Sequence, residues 1–222
     1  MTTGVHDIRA AQDTFTYGAP RLFEGSVVFV DVRRSSEIVS HVEKSFGPER
    51  AAEFFMRYLT GCMTAITSVT PAHCQPSGDA VLAVIEGPDR VQRAVDAASA
   101  AIRFVSDEFE RENRNLLSGR ANPGRWRHQR LRFEVGAGIA DGVITESNLS
   151  TGHEESPELV GSCVSLAAKL SGWAQPPNSV AITYDAFRDA KLGNNSVYRW
   201  THRVMKLGGR HRHIVVTRPP RL

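Results

Sequence analysis

The sequence predicts an α/β sandwich, an α+β arrangement in which helices cover one mostly antiparallel sheet. Three observations lead there. Short apolar runs such as "VVFV" at 27–30 and "VAIT" at 180–183 are bounded by Gly, Pro, Asp or Ser, as strands are. Between them lie stretches with helical apolar spacing, the longest stripe being Phe54, Phe55, Tyr58, Leu59, Met63 and Ile66. The two kinds alternate as β-α-α-β-β-α-β and then α-β-α-β-β, an order too interleaved for an all-α or all-β domain.

Residues 1–25 read as an irregular lead-in, broken by Gly18, Pro20 and Gly25, and 26–222 as a single domain. The first strand is Val27 to Val30, and a helix follows near Ser36 to Phe46. Gly47-Pro48 interrupts it, and a longer helix runs from Glu49 to about Thr70. "HCQPSGDAVLAVIEG" gives two strand-like runs around Pro76-Ser77-Gly78-Asp79, a hairpin with Asp79 at its tip. "PDRVQRAVDAASAAIRFVSDEFEREN" is an amphipathic helix with Pro88 in its first turn. The basic, turn-rich segment 113–130 reads as an exposed loop. "LRFEVGAGIADGVIT" alternates like strands, and Gly136, Ala137 and Gly138 permit close approach of another backbone. A polar loop at 146–157 precedes a helix in "ELVGSCVSLAAKLSGWA". A strand at "VAIT", a helical turn at "YDAFRDA" and two strands near 197–204 and 212–217 complete the chain.

Composition narrows the function classes. The 222 residues are 41% hydrophobic, enough for a substantial core, and no apolar run nears the roughly 20 residues of a membrane span. The N-terminus has no basic stretch followed by an apolar one, so no secretory signal is expected. Cys62, Cys74 and Cys163 are odd in number and far apart, which suits reduced thiols in a cytoplasmic protein, not a disulfide framework or a zinc site. The net charge of +3 tolerates anionic ligands without demanding nucleic acid. The basic 111–132 segment carries no aromatic platform or known recognition motif, so nucleic acid ranks last among partners. "HRH" at 211–213 reads as an exposed strand end.

Two carboxylates stand out. Asp31 ends the first buried strand, where an uncompensated charge is costly, and a helix begins just beyond it. Asp79 sits at the hairpin tip, and strand and hairpin are neighbours in such a unit, so the two can converge at one edge of the sheet. Paired carboxylates beside a helix N-terminus suit a divalent cation, Mg²⁺ or Mn²⁺, together with a phosphate held by free backbone amides. The bland reading of Asp31 is a helix cap; Asp79 at the expected distance favours the metal.

"VVFVDVRRSSEIV", "SGDAVLAVI", "FEVGAGIADGVIT" and "ELVGSCVSLAAKLSGWA" resemble, in order and spacing, the catalytic domains of class III nucleotide cyclases over roughly residues 26–190. The resemblance implies a ferredoxin-like βααββαβ core and a homodimer with active sites at the interface. It also implies conversion of a nucleoside triphosphate to a 3′,5′-cyclic monophosphate and pyrophosphate with two divalent cations, Mn²⁺ or Mg²⁺. It makes Asp31 and Asp79 metal ligands, with the Val32 carbonyl as an extra one. The segment Arg33, Arg34, Ser35 and Ser36 becomes the phosphate-gripping turn. Lys169 stands where the family has its transition-state arginine, and Ser165 where it has a ribose-orienting asparagine. Gln75 and Glu158 occupy the base-reading positions, and Lys206 and Arg210 fall near the family's phosphate-binding lysine segment.

The departures matter. Lysine keeps the charge of arginine but loses its fork. Gln75 is not the adenine-reading lysine of adenylate cyclases, and Glu158 is neither of the usual partners. "DVRRSS", in place of Gly-Phe after the aspartate, resembles the bacterial pyrimidine cyclases of anti-phage defence. Their cyclic UMP or cyclic CMP activates a separate effector, which ranks UTP ahead of CTP as substrate. A Gln75 amide can accept from uracil N3–H and donate to O4, whereas Glu158 can only accept, from an amino group of cytosine, adenine or guanine. An adenylate or guanylate cyclase, and a catalytically dead nucleotide-binding or dimerisation module, remain the alternatives.

Overall fold

The computed structural model describes residues 16–17, 19–117, 131–150, 155–194, 197–207 and 209–218. The strands are β1 (Thr16–Tyr17), β2 (Arg21–Val32), β3 (His73–Ser77), β4 (Ala80–Glu86), β5 (Val135–Ser150), β6 (Glu155–Val160), β7 (Ser179–Thr183), β8 (Thr201–Leu207) and β9 (Arg210–Thr217). The main helices are α1 (Ser35–Phe46), α2 (Pro48–Val69), α3 (Arg90–Arg103), α4 (Ser162–Trp173) and α5 (Tyr184–Asp189). One sheet holds all the strands in the order β3-β4-β2-β5-β7-β9-β8, with β1 and β6 both pairing to β5. Among the described strands only β5 and β7 run parallel. The α+β class and the mostly antiparallel sheet read from the sequence are therefore those of the fold.

The alternation of β2 explains the two layers. Val28, Val30 and Val32 face a core built with Ile38 and Val42 of α1, Phe54 and Tyr58 of α2 and the alanine-rich side of α3. Val27 and Phe29 face the other way, into a smaller core with Cys163, Ala167 and Leu170 of α4. Successive strand residues point to opposite faces, so Asp31 continues the Val27–Phe29 series onto the α4 side.

The expectation that Gly136 and Gly138 admit a close neighbour holds. A Cβ built on Gly138 would lie 2.0 Å from the Ala167 carbonyl oxygen and 2.4 Å from the Ser171 nitrogen. Helix α4 thus rests directly on the backbone of β5.

Several boundaries differ from the sequence expectation. The lead-in gives way to β2 at Arg21, and Gly25 lies within the ladder opposite Glu86 and Gly142. β5 pairs along the whole stretch and β4 joins at Gly25, and this pairing overrides its weak local pattern. The polar loop expected at 146–157 is instead the end of β5 and the start of β6, with 151–154 outside the described residues. A ribbon with solvent on one side accepts polar residues as readily as a loop does. Pro88 lies before α3 and not in its first turn, and after Arg103 the chain runs on as a π-helical turn, Phe104–Phe109. The strand expected at 197–204 starts at Thr201. Within the basic segment, Asn113 and Leu117 are buried beside a short helical turn, and 118–130 lie outside the described residues.

Gly138→Ala should cost about 3 kcal/mol, the upper end of overpacking penalties, because the obstacle is backbone and cannot rotate away. Urea unfolding of the variant checks this. A midpoint equal to that of the parent would contradict the close seating of α4.

Candidate metal and phosphate site

Antiparallel pairing of β2 with β4 sets Asp31 opposite Ala80, so Asp79 is the residue next to its direct neighbour. The β3–β4 hairpin closes through Gly78-Asp79. Gly78 has φ +64°, as the first position of a type II′ turn requires. Asp31 is half-buried, and its carboxyl is held above the usual carboxylate range. Burial is the main cause, the charge of Asp79 adds to it, and Arg33 opposes it. A half-buried carboxylate raised by burial and by a second carboxylate beside it is what a divalent cation relieves.

Helix α1 begins immediately beyond. Arg34 is its N-cap, in a left-handed conformation (φ 57°) without a side-chain cap, and its carbonyl accepts from the Glu37 and Ile38 amides. A non-glycine residue in this region stores about 1 kcal/mol of strain. The first-turn amides, those of Ser35 and Ser36, have no acceptor within the helix and carry its positive dipole end. The segment therefore presents donors for an anion beside the carboxylate pair.

The side chains of the two arginines in this turn are engaged away from it or on its own helix. Arg34 is exposed and forks onto Glu37. Arg33 is half-buried and donates to the Ser171 and Ala174 carbonyls at the end of α4, while its own amide donates to Glu134 at 2.8 Å. Nothing in the sequence announced this contact. Tyr58, also unassigned beforehand, is fully buried beneath the site, and its hydroxyl donates to the Val30 carbonyl at 3.5 Å.

The remaining expected residues are not gathered here within one chain. Ser165 and Lys169 are exposed on α4, in line with Trp173, on the side away from Cys163, Ala167 and Leu170. Glu158 is exposed on β6, opposite Ser147. Gln75 is half-buried on edge strand β3, its side-chain oxygen 3.4 Å from His73 Nε2. Lys206 and Arg210 flank the β8–β9 turn, at the sheet edge farthest from β3.

Among the described residues no three His, Cys, Asp or Glu side chains converge as a metal cluster. The donor set is thus two carboxylates and whatever carbonyl oxygens the strand end offers. That set suits Mg²⁺ or Mn²⁺, which fill their shells with water and phosphate oxygens, better than a closed protein cage. Cavities of about 740 and 490 Å³ lie elsewhere, and neither includes Asp31 or Asp79. The larger is bordered by Arg90, which is saturated by Asp141 at 2.8 Å and Glu24 at 2.9 Å. The carboxylate pair belongs to neither cavity, so its chemistry and not cavity size locates the site. No described helix is long and apolar enough to cross a membrane.

Solved structures share this architecture. The guanylyl cyclase Cya2 matches with a TM-score of 0.64 at 16% identity, covering 91% of this chain and 93% of that one. The adenylyl cyclase CyaB from P. aeruginosa gives 0.63 at 18%, covering 91% and 97%. The catalytic core of a rhodopsin-guanylyl cyclase with converted specificity, in complex with ATPαS, gives 0.63 at 15%, covering 90% and 98%. The chain therefore has the fold of class III adenylyl and guanylyl cyclase catalytic domains. No protein-family description matches it. An uncharacterised protein of Mycobacterium tuberculosis (strain CDC 1551) is 25% identical over 208 residues, 88% of this chain and 32% of that protein. One of Mycobacterium bovis is 26% identical over 149 residues, 65% and 23%. The chain spans a third or less of the length of these curated relatives.

Because the folded pKa of Asp31 is raised, its ionisation removes stability as pH climbs from the ordinary carboxylate range through the raised value. Asp31→Asn should therefore melt higher than the parent at neutral pH in EDTA, with the advantage gone below the ordinary carboxylate pKa. Mn²⁺ should raise the melting temperature of the parent and not of the variant. An equal Mn²⁺ gain in both, read by thermal unfolding, would contradict the site.

Proposed function

We propose that this chain is a nucleotide cyclase that converts a pyrimidine nucleoside triphosphate, UTP ahead of CTP, to its 3′,5′-cyclic monophosphate and pyrophosphate. The observation that carries the reading is the Asp31–Asp79 pair beside the N-terminus of α1, set in a fold shared with adenylyl and guanylyl cyclases.

Each residue has a definite task. Asp31 and Asp79, with the Val32 carbonyl, hold two divalent cations, Mn²⁺ or Mg²⁺. Bound there, these supply the positive charge that acidifies the ribose 3′-hydroxyl and neutralises the phosphates. The Ser35 and Ser36 amides receive β- and γ-phosphate oxygens at the helix N-terminus. The 3′-oxygen attacks the α-phosphorus in line, and pyrophosphate leaves. Lys169 offers its ammonium to the charge that develops, as a point charge without the geometry of a guanidinium. Ser165 orients the ribose through its hydroxyl.

These two, with Glu158, Lys206 and Arg210, lie on surfaces that a second copy can bring to the carboxylates, so the working unit is a homodimer. Gln75 and Glu158 read the base. A role of the product as a second messenger in cytoplasmic anti-phage defence, read by a cyclic-nucleotide-activated effector, rests on the "DVRRSS" resemblance. A purine substrate is the second reading, favoured by the adenylyl and guanylyl cyclases among the structural neighbours.

Incubation with ATP, GTP, CTP and UTP separately, with Mn²⁺, followed by mass spectrometry of the products, tests this. Cyclic UMP or cyclic CMP is expected. Cyclic AMP or cyclic GMP would keep the mechanism and overturn the base preference; no product from any would overturn the cyclase reading. Asp31→Ala should abolish turnover. Mixing Asp31→Ala with Lys169→Ala chains should restore one competent site per heterodimer. Absence of rescue in proven heterodimers would contradict a site shared between chains.

A further inference from the structure

Arg33 is placed where neither the metal chemistry nor the phosphate turn requires it. Helix α4 has no basic residue in its last turn, although a helix C-terminus attracts a cation to its unpaired carbonyls. The guanidinium of Arg33 fills that role from a distant part of the chain. Its Nη2 donates to the Ser171 carbonyl and, at 3.1 Å, to the Ala174 carbonyl. The path there is open because residue 136 is glycine. A Cβ on Gly136 would fall 1.9 Å from that same Nη2 and 2.3 Å from the Ser171 carbonyl oxygen. The Arg33 amide is tied to the Glu134 carbonyl, so the residue is held at both ends. Its Nε is buried without a partner, a cost the contact accepts. Two residues earlier stands Asp31, and earlier on the same helix stand Ser165 and Lys169.

We propose that Arg33 is a positioning residue, a latch that caps α4 and so fixes the loop after Asp31 relative to the helix bearing Ser165 and Lys169. The proposal rests on the cyclase reading for its catalytic consequence but not for the latch itself. In a dimer where α4 serves the other chain's carboxylates, the latch makes order at one site and helix seating at the next a single event. Both bonds leave the one Nη2, so a lysine ammonium, which keeps the charge on a shorter side chain, replaces it only in part.

The test compares the parent, Arg33→Met and Arg33→Lys as dimers. In Arg33→Met, kcat should fall about tenfold while KM for the triphosphate stays within about twofold, as expected when reacting groups are misplaced and not lost. Arg33→Lys should recover part of it. Hydrogen exchange of the ligand-free proteins should speed up in Arg33→Met at both 31–36 and 171–174. A merely structural role would lower the melting temperature and leave kcat per folded molecule unchanged. Unchanged kcat in folded Arg33→Met, or faster exchange confined to one of the two segments, would overturn the latch. If Arg33→Met does not fold, Arg33→Lys stands in, and parental kcat and parental exchange in it would overturn the proposal. If the parent turns over no triphosphate, the cyclase reading fails, and the exchange comparison alone decides the latch.

Discussion

Everything at the candidate site depends on the register of β2. This strand is paired along both edges, with Asp31 opposite Ala80 of β4 on one side and Gly136 of β5 on the other. Shifting a strand by one residue turns every side chain to the other face. Here such a slip would bury Asp31 among the aromatic residues of α2 and drive Val30 and Val32 out of the larger core. The hydrophobic pattern of Val27 to Val32 therefore fixes where the carboxylate stands. The two-residue Gly78-Asp79 turn then places its companion beside it. Among the described residues no ion pair neutralises the couple. The opposing charge is Arg33, whose guanidinium is committed to the end of α4.

The second constraint is the bare backbone of β5 at Gly136 and Gly138. It lets α4 sit directly on the sheet and lets one guanidinium pass beneath its last turn. Helix seating and loop geometry are thus set by the same few atoms. The outward stripe of α4, with Ser165, Lys169 and the half-exposed Trp173, is left facing away from its own core. On the proposed reading a single chain carries two parts of the chemistry on different elements: the carboxylates and anion-binding amides at the end of β2 and the start of α1, the cation and ribose-orienting groups on α4. The proposed site is located by that chemistry and not by either of the two cavities.

Much of this was legible in the sequence, for physical reasons. The "VVFVD" run, the Ser-Gly-Asp turn and the Gly-x-Gly of β5 are local signals whose meaning does not depend on remote contacts. The α+β class, the hairpin and the carboxylate pair followed from them. What could not be read was set by distant partners. Arg21 to Gly25 became strand because β5 pairs along them, with β4 joining at Gly25. Residues near 146–150 and 155–157 became a ribbon because they pair with each other. Arg33 was read as part of a turn whose backbone amides grip phosphate, and nothing local announced its side-chain partners, which lie 138 and 141 residues further along the chain.

The most direct test of the central claim is anomalous diffraction at the manganese edge. It would use crystals of the dimer grown with Mn²⁺ and a 3′-deoxy nucleoside triphosphate, which binds without an oxygen to attack. The account predicts manganese between the carboxylates of Asp31 and Asp79, with the triphosphate against the Ser35 and Ser36 amides and Lys169 arriving from the second chain. Manganese elsewhere, or none while the nucleotide binds away from the end of β2, would contradict it.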